Sequence, residues 1–195
     1  MKKAEIRRLY LEKKASLSDS EIYARSEQIF KNFISHFSLQ ENQKIHCFLS
    51  IPEKGEVDTS LFLDFLFENN IRVFVPKIVN GKMISQEIMK ETPLVKSQWG
   101  IEEPIGDEDC GVKDYDFIIT PLLYCDGKGN RVGYGKGFYD QFFETIHPDC
   151  LKIGVGLFEP STQIDDVWEK DIPLNYLVTP IEVLSFSVLP SKSTK

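Results

Sequence analysis

The stretch Arg131-Val132-Gly133-Tyr134-Gly135-Lys136-Gly137-Phe138-Tyr139-Asp140 constrains this chain more than any other. Its glycines alternate with bulkier residues, an arginine precedes them, and a lysine stands between the last two. Glycine holds positive φ at little cost, and without a side chain it lets a ligand approach the backbone. From Phe138 onward the four-residue spacing of Phe138, Phe142 and Ile146 predicts a helix. A glycine loop entering a helix N-terminus aims unpaired N–H groups at one point, and the helix dipole adds partial positive charge there. Arg131 and Lys136 add full charges beside it. The pattern G-x-G-x-G is neither the G-x-G-x-x-G of a dinucleotide fold nor the G-x-x-x-x-G-K-[ST] of a P-loop. The residues read as a phosphate-binding loop, with an ordinary glycine-rich turn as the alternative. Asp140 then stands where it can face a metal held by the same phosphates.

The remainder of the chain supplies a framework for such a loop. Residues 2–15 read as a first helix, and Ser18 with Glu21 has capping-box spacing, opening a second helix to about Phe37. Lys44–Ser50 is a short apolar run, expected to be a buried strand. The loop 51–57 follows, then a helix through Glu68 and a second buried strand over Ile71–Pro76. Such a strand–helix–strand unit implies parallel pairing with a right-handed crossover. Ligands in these sheets bind beyond the carboxyl ends of strands, which puts the 51–57 loop and Glu56 beside a substrate, away from the glycine segment.

Asn80-Gly81 predicts a type I′ hairpin into an antiparallel edge strand over 82–89. Leu94–Pro104 reads as irregular. Further strands are expected at Tyr115–Thr120, Leu151–Leu157, Tyr176–Pro180 and, as an edge, Val183–Val188. The fold class is α/β: a single-domain, three-layer α/β/α arrangement with a mostly parallel, mixed central sheet, Rossmann-like. One domain spans residues 1–190, with a disordered tail at 191–195.

Composition narrows the function. A net charge of −7 disfavours nucleic acid as a partner. The charge is uneven, however: residues 1–14 carry six basic and two acidic side chains, whereas 102–116 carry seven acidic and one basic. A small anion near the N-terminus is compatible with that distribution. No run of about eighteen apolar residues argues for a membrane span, and the charged N-terminus lacks the apolar stretch of a signal peptide. The four cysteines are far apart with no CxxC pair, arguing against zinc and against a disulfide framework. A cytoplasmic monomer is the expectation. No Ser/His or Cys/His pairing suggests a protein nucleophile.

With Asp126-Gly127-Lys128-Gly129-Asn130 in front of it, RVGYGKGFYD resembles the signature of the 5-formyltetrahydrofolate cyclo-ligase (methenyltetrahydrofolate synthetase) family, D-x-x-G-x-R-[LV]-G-x-G-x-G-[FY]-Y-D. Further resemblances extend it over nearly the whole chain: Lys3 and Arg7 match K-x-x-x-R, Glu56 lies in the E-V-D-T position, Trp99 opens a W/Y-G-I-x-E-P segment, and Asp171 begins the C-terminal D-x-x-x-x-x-[IL]-[IV]-T. Gln141 stands where many members have arginine.

The resemblance implies ATP and Mg²⁺ as co-substrate and metal, and a reduced folate as substrate. It assigns Lys3, Arg7, Arg131, Val132, Gly133, Tyr134, Gly135, Lys136, Gly137, Phe138 and Tyr139 to ATP, with Lys136 and Arg131 catalytic. Ile51, Glu56, Trp99 and Tyr134 go to the folate, and Asp140 and Asp171 to the metal. The implied reaction phosphorylates the formyl oxygen of 5-formyltetrahydrofolate; the folate N10 then attacks, and loss of phosphate gives 5,10-methenyltetrahydrofolate. The nucleophile belongs to the substrate, which agrees with its absence from the chain. A small-metabolite kinase and a non-catalytic nucleotide- or folate-binding module remain alternatives at this stage.

Overall fold

The structure, a computed structural model, describes residues 1–97 and 100–186. In chain order the elements are α1 (Lys3–Ala15), α2 (Asp19–His36), β1 (Lys44–Cys47), α3 (Ser60–Glu68), β2 (Arg72–Val79), β3 (Lys82–Ile88), β4 (Leu94–Lys96), β5 (Glu102–Pro104), β6 (Phe117–Pro121), β7 (Tyr124–Cys125), β8 (Arg131–Val132), α4 (Phe138–Phe143), β9 (Leu151–Val155), β10 (Tyr176–Val178) and β11 (Val183–Ser185). Seven strands form one sheet in the order β11-β10-β9-β6-β1-β2-β3. The inner five run parallel, and β3 and β11 close the two edges antiparallel. The fold is therefore α/β with a mostly parallel, mixed sheet, as the alternation of elements implied.

Central strands are covered on both faces, so they read as unbroken apolar runs instead of alternating ones. Ile45, Cys47, Val73, Val75, Phe117 and Ile119 face α2 and α3, meeting Ile29, Phe33, Phe62 and Leu66. Phe74 and Ile118 face the other way, meeting Phe142, Phe143 and Ile146 around α4. His46 lies fully buried on that second face, its ring against Tyr115, Tyr139 and Phe142, and neither of its nitrogens has a hydrogen-bond partner among the described residues. Burial pushes its pKa down to about 3, so the imidazole is neutral.

Local chemistry places several boundaries. Ser18 caps α2 and Glu21 reaches back, completing the capping box. Asn80 and Gly81 both take positive φ, and β2 and β3 pair from Val79↔Lys82 outward. Three expectations are corrected. Leu94–Pro104 is not irregular throughout, because β4 and β5 pair antiparallel from Leu94↔Pro104 to Lys96↔Glu102. The helix after the glycine loop stops at Phe143, where the Thr145 N–H and hydroxyl both turn back to the Phe142 carbonyl. Ile146 still packs into the same cluster from the following turn. The edge strand ends at Ser185, and positions 187–195, with the predicted tail, lie outside the described residues.

The crossovers diverge between β1 and β6. The β1–β2 connection runs through α3 on one face, while β6–β9 runs through α4 on the other. Ligands in open sheets collect at such a switch point, outside the carboxyl ends of the strands. Here a narrow cleft opens among Phe48, Glu56, Pro121, Leu123 and Lys14.

Candidate active site

The loop 126–137 is built on a small hairpin beyond the end of β6, where β7 and β8 pair through Tyr124↔Val132 and Cys125↔Arg131. Buried Asp126 organises the turn between them. One of its carboxylate oxygens accepts the N–H groups of Lys128 (2.9 Å) and Asn130 (3.0 Å), and the other accepts that of Ile164 (3.2 Å). Gly129 closes the turn at φ +84°, where a Cβ would sit 2.8 Å from the Leu174 carbonyl. Helix α1 lies on this hairpin, with Ile6 and Tyr10 packed against Leu123, Tyr124 and Val132. Val132 is thus a core side chain.

That packing turns one face of α1 towards the glycines. Arg7 donates from Nε to the Gly133 carbonyl (2.9 Å), and its guanidinium lies 3.3 Å from where a Cβ on Gly135 would be. Gly135 and Gly137 adopt φ of +90° and +70°, so the loop needs glycine there for its backbone shape. Gly137 forms the N-terminal boundary of α4. Lys136 is exposed and, among the described residues, has no hydrogen-bond or ion-pair partner. Phe138 and Tyr139 are half-buried at the start of α4.

The two remaining cations are neutralised. The Arg131 guanidinium, 8 % exposed, donates to Asp140 (2.7 Å) and to the Ile172 carbonyl. Burial lowers its pKa, opposed by Asp140 and then Asp171, and an arginine stays charged in such a setting. Lys3 pairs with Asp171, whose same oxygen accepts the Trp168 N–H (2.6 Å). The Ile172 N–H also reaches Asp140 (3.3 Å), so Asp140, Arg131, Asp171 and Lys3 form one linked cluster. Asp140 and Asp171 each keep one carboxylate oxygen without a hydrogen-bond partner among the described residues.

A second cluster lies where the 51–57 loop meets the glycine loop. Glu56 Oε2 accepts the Ile51 N–H (2.9 Å), which fixes the carboxylate; Ile51 itself is buried. Lys14, at the last turn of α1, donates to the Tyr134 hydroxyl (2.8 Å). That hydroxyl lies beside Glu56 and interacts with it electrostatically, and Lys54 stands 5.4 Å from the Tyr134 ring centre. Burial raises the Glu56 pKa, opposed by the Ile51 N–H, Lys14, Tyr134 and Lys54. Burial lowers that of Lys14, opposed by Glu56. Tyr134 is pushed up by burial and by Glu56. Glu56 therefore lies beside the glycine segment, contrary to the expectation that it lies apart from it. The reason is topological: the loop after β1 and the β7–β8 hairpin that follows β6 converge over the carboxyl ends of the neighbouring strands β1 and β6.

The arrangement offers cations at a backbone-lined loop, two partly free carboxylates beside it, and the partly buried carboxylate of Glu56 in the adjoining cleft, with exposed Tyr134 next to it. Comparison with known proteins gives the family. The model of the 5-formyltetrahydrofolate cyclo-ligase family matches residues 1–180. The chain belongs to that family. It is 28% identical to a probable 5-formyltetrahydrofolate cyclo-ligase of Schizosaccharomyces pombe, over 94% of this chain and 98% of that protein. It is 30% identical to the 5-formyltetrahydrofolate cyclo-ligase of Mycoplasma genitalium, covering 88% and 95%. The NMR structure of Aquifex aeolicus 5,10-methenyltetrahydrofolate synthetase superposes with a TM-score of 0.80 at 29% identity, covering 100% of this chain and 97% of that one. This cyclo-ligase fold thus accounts for the whole described chain.

Within the cyclo-ligase chain, Lys3, Arg7, Arg131, the glycine loop, Asp140 and Asp171 meet in one region, with Ile51, Glu56 and Tyr134 at its end. Trp99 lies outside the described residues. Sequence reasoning missed Lys14 and Lys54. A signal for Lys14 existed: Lys3, Arg7 and Lys14 follow one another at four and seven residues, which returns to the same helix face.

Proposed function

We propose that this protein catalyses the ATP- and Mg²⁺-dependent cyclisation of 5-formyltetrahydrofolate to 5,10-methenyltetrahydrofolate, releasing ADP and phosphate through a phosphorylated formyl intermediate. The observation that carries the reading is the convergence of two dissimilar sites. Arg7 and Lys136 flank a glycine loop suited to phosphates, and Tyr134 of the same loop lies beside partly buried Glu56 in the switch-point cleft. A nucleotide on one side and a pterin-bearing substrate on the other would meet there.

The chemistry requires positioning more than a protein nucleophile. Loop N–H groups, Arg7 and Lys136 hold the γ-phosphate against the formyl oxygen and offset the charge that moves during transfer. Good orientation of the two reactants supplies on the order of 7–11 kcal/mol of the barrier. The P–O bond to ADP breaks as the formyl oxygen takes the phosphoryl group. The folate N10 lone pair then attacks the activated carbon, N10 loses its proton, and phosphate departs with the former formyl oxygen. Glu56, held by the Ile51 N–H, orients the folate beside Tyr134.

No group of three or more metal-ligating side chains occurs among the described residues. Mg²⁺ in nucleotide sites takes only one or two carboxylates, completing its shell with phosphate and water. The uncommitted oxygens of Asp140 and Asp171 fit that demand, and the bound ion would supply charge neutralisation on the phosphates.

The test is product formation from 5-formyltetrahydrofolate with ATP and Mg²⁺ each added or withheld, followed by the methenyl absorbance and released phosphate. One phosphate per methenyl product, with neither formed when ATP is left out, is expected. Methenyl product without ATP contradicts the reading. Glu56 is a carboxylate in the cleft, but no observation among the described residues favours a small-metabolite kinase.

A further inference from the structure

Trp168 is 72% exposed, on a loop that is otherwise tied down at every turn. The Met1 ammonium pairs with Asp165 (2.7 Å), the Lys3 N–H donates to Asp166 (2.6 Å), and the Trp168 N–H donates to Asp171 (2.6 Å). An indole of this size left in water on a loop so firmly held is not the leftover of a loose segment. It is displayed.

Its neighbours say to what. The Lys3 ammonium stands 5.9 Å from the Trp168 ring centre, and Lys3 opens α1. One turn further along the same face is Arg7, against the glycine loop, and beyond it Lys14, against Tyr134 and Glu56. At 1.5 Å per residue, Lys3 and Lys14 are about 16 Å apart along the axis. The helix face thus presents a flat aromatic ring, then cations, then the cleft with Glu56. A nucleoside triphosphate has the same order of parts: a flat base, a string of anionic groups, and a terminal phosphate that must reach the acceptor.

We propose that Trp168 is the platform on which the purine base of the nucleotide stacks, so that the triphosphate runs along α1 from Lys3 to Arg7 with its terminal phosphate directed to Tyr134 and Glu56. The inference rests on the nucleotide reading given above and adds the base site and the direction of the bound chain. Recognition by stacking needs no hydrogen bonds to the base edges, because every base has a π-face.

The experiment measures equilibrium binding of Mg-ATP and of Mg-tripolyphosphate, which lacks base and ribose, to wild type, Trp168→Ala and Trp168→Phe. Because the side chain is exposed, its removal is expected to leave the melting temperature near that of wild type. Trp168→Ala should weaken Mg-ATP about 5- to 150-fold, the range that about 1–3 kcal/mol of base–aromatic stacking spans at 1.4 kcal/mol per factor of ten. Trp168→Phe should fall between, and tripolyphosphate should bind all three alike. Wild-type ATP affinity in Trp168→Ala overturns the proposal, as does an equal loss for tripolyphosphate, which would mean that Trp168 only supports Lys3. If wild type bound neither ligand, the nucleotide reading itself would fall and this proposal with it.

Discussion

Replacing Gly135 by alanine perturbs the backbone and the cation of the glycine loop in one step. Gly135 sits at φ +90°, and an added Cβ would lie 3.3 Å from both Cζ and Nη2 of Arg7. The backbone part is an L-residue forced into the left-handed region, costing roughly 1–2 kcal/mol. At about 2–4 °C per kcal/mol for a chain of this length, the melting temperature should fall by roughly 2–8 °C. The side-chain part is separate. The guanidinium is the far end of a flexible chain, so it moves aside instead of blocking folding, and it gives up its bond to the Gly133 carbonyl (2.9 Å). A charge-assisted hydrogen bond to phosphate is then lost, about 1.5–3 kcal/mol, or roughly 10- to 150-fold in ATP affinity. Thermal melts with and without Mg-ATP separate the two effects: Gly135→Ala should melt lower and gain little from nucleotide. Gly133→Ala is the comparison, since its Cβ meets nothing within 4 Å and its φ lies outside the left-handed region. It should melt like wild type. If Gly135→Ala kept the wild-type nucleotide shift and turnover, the glycines would form only a turn.

Lys14→Met removes the charge that opposes the burial-raised pKa of Glu56, so that pKa should rise further. The acid limb of kcat/KM for the folate should then move to higher pH while KM for ATP changes little; an unmoved limb contradicts the role given to Lys14. His46 is neutral in the fold, with a pKa of about 3 against an ordinary 6.5, so the unfolded chain takes up the proton first. Stability should fall by roughly 1.4 kcal/mol per pH unit below about pH 6.5 from this group alone. His46→Phe should flatten that slope in denaturant titrations between pH 7 and 5, and an unchanged slope refutes the assignment. Asp171→Asn should raise the Mg²⁺ concentration needed for half-maximal rate about tenfold or more, the effect of losing a charged ligand or its partner; an unchanged requirement would leave the metal to other groups.

Much of this architecture was legible in the residues because the signals were local. The capping box at Ser18 and Glu21, the Asn80-Gly81 turn and the unbroken apolar strands each depend on near neighbours. The glycine loop was legible for the same reason, and its positive φ at Gly135 and Gly137 follows from residue type. What escaped depends on distance in sequence. Lys14 looks like one more lysine on a solvated helix, and only the packing of α1 on the β7–β8 hairpin buries it beside Tyr134. Nothing near Glu56 announces Tyr134, 78 positions away, because that proximity arises from the order of strands. The pairing of Lys3 with Asp171 and Arg131 with Asp140 was equally hidden. Residues read separately as phosphate clamps and metal ligands pair with one another in the fold. The helix from Phe138 was read, but its early end at Phe143 was missed, since Ile146 keeps its apolar spacing after the helix has ended.

The most direct measurement of the central claim follows one oxygen atom. 5-Formyltetrahydrofolate labelled with oxygen-18 in the formyl group should be converted with Mg-ATP in unlabelled water and the released phosphate examined by mass spectrometry. Transfer of the γ-phosphoryl group to the formyl oxygen predicts one labelled oxygen in each phosphate released. Unlabelled phosphate, with the label lost to water, would contradict the phosphorylated intermediate even if methenyl product formed.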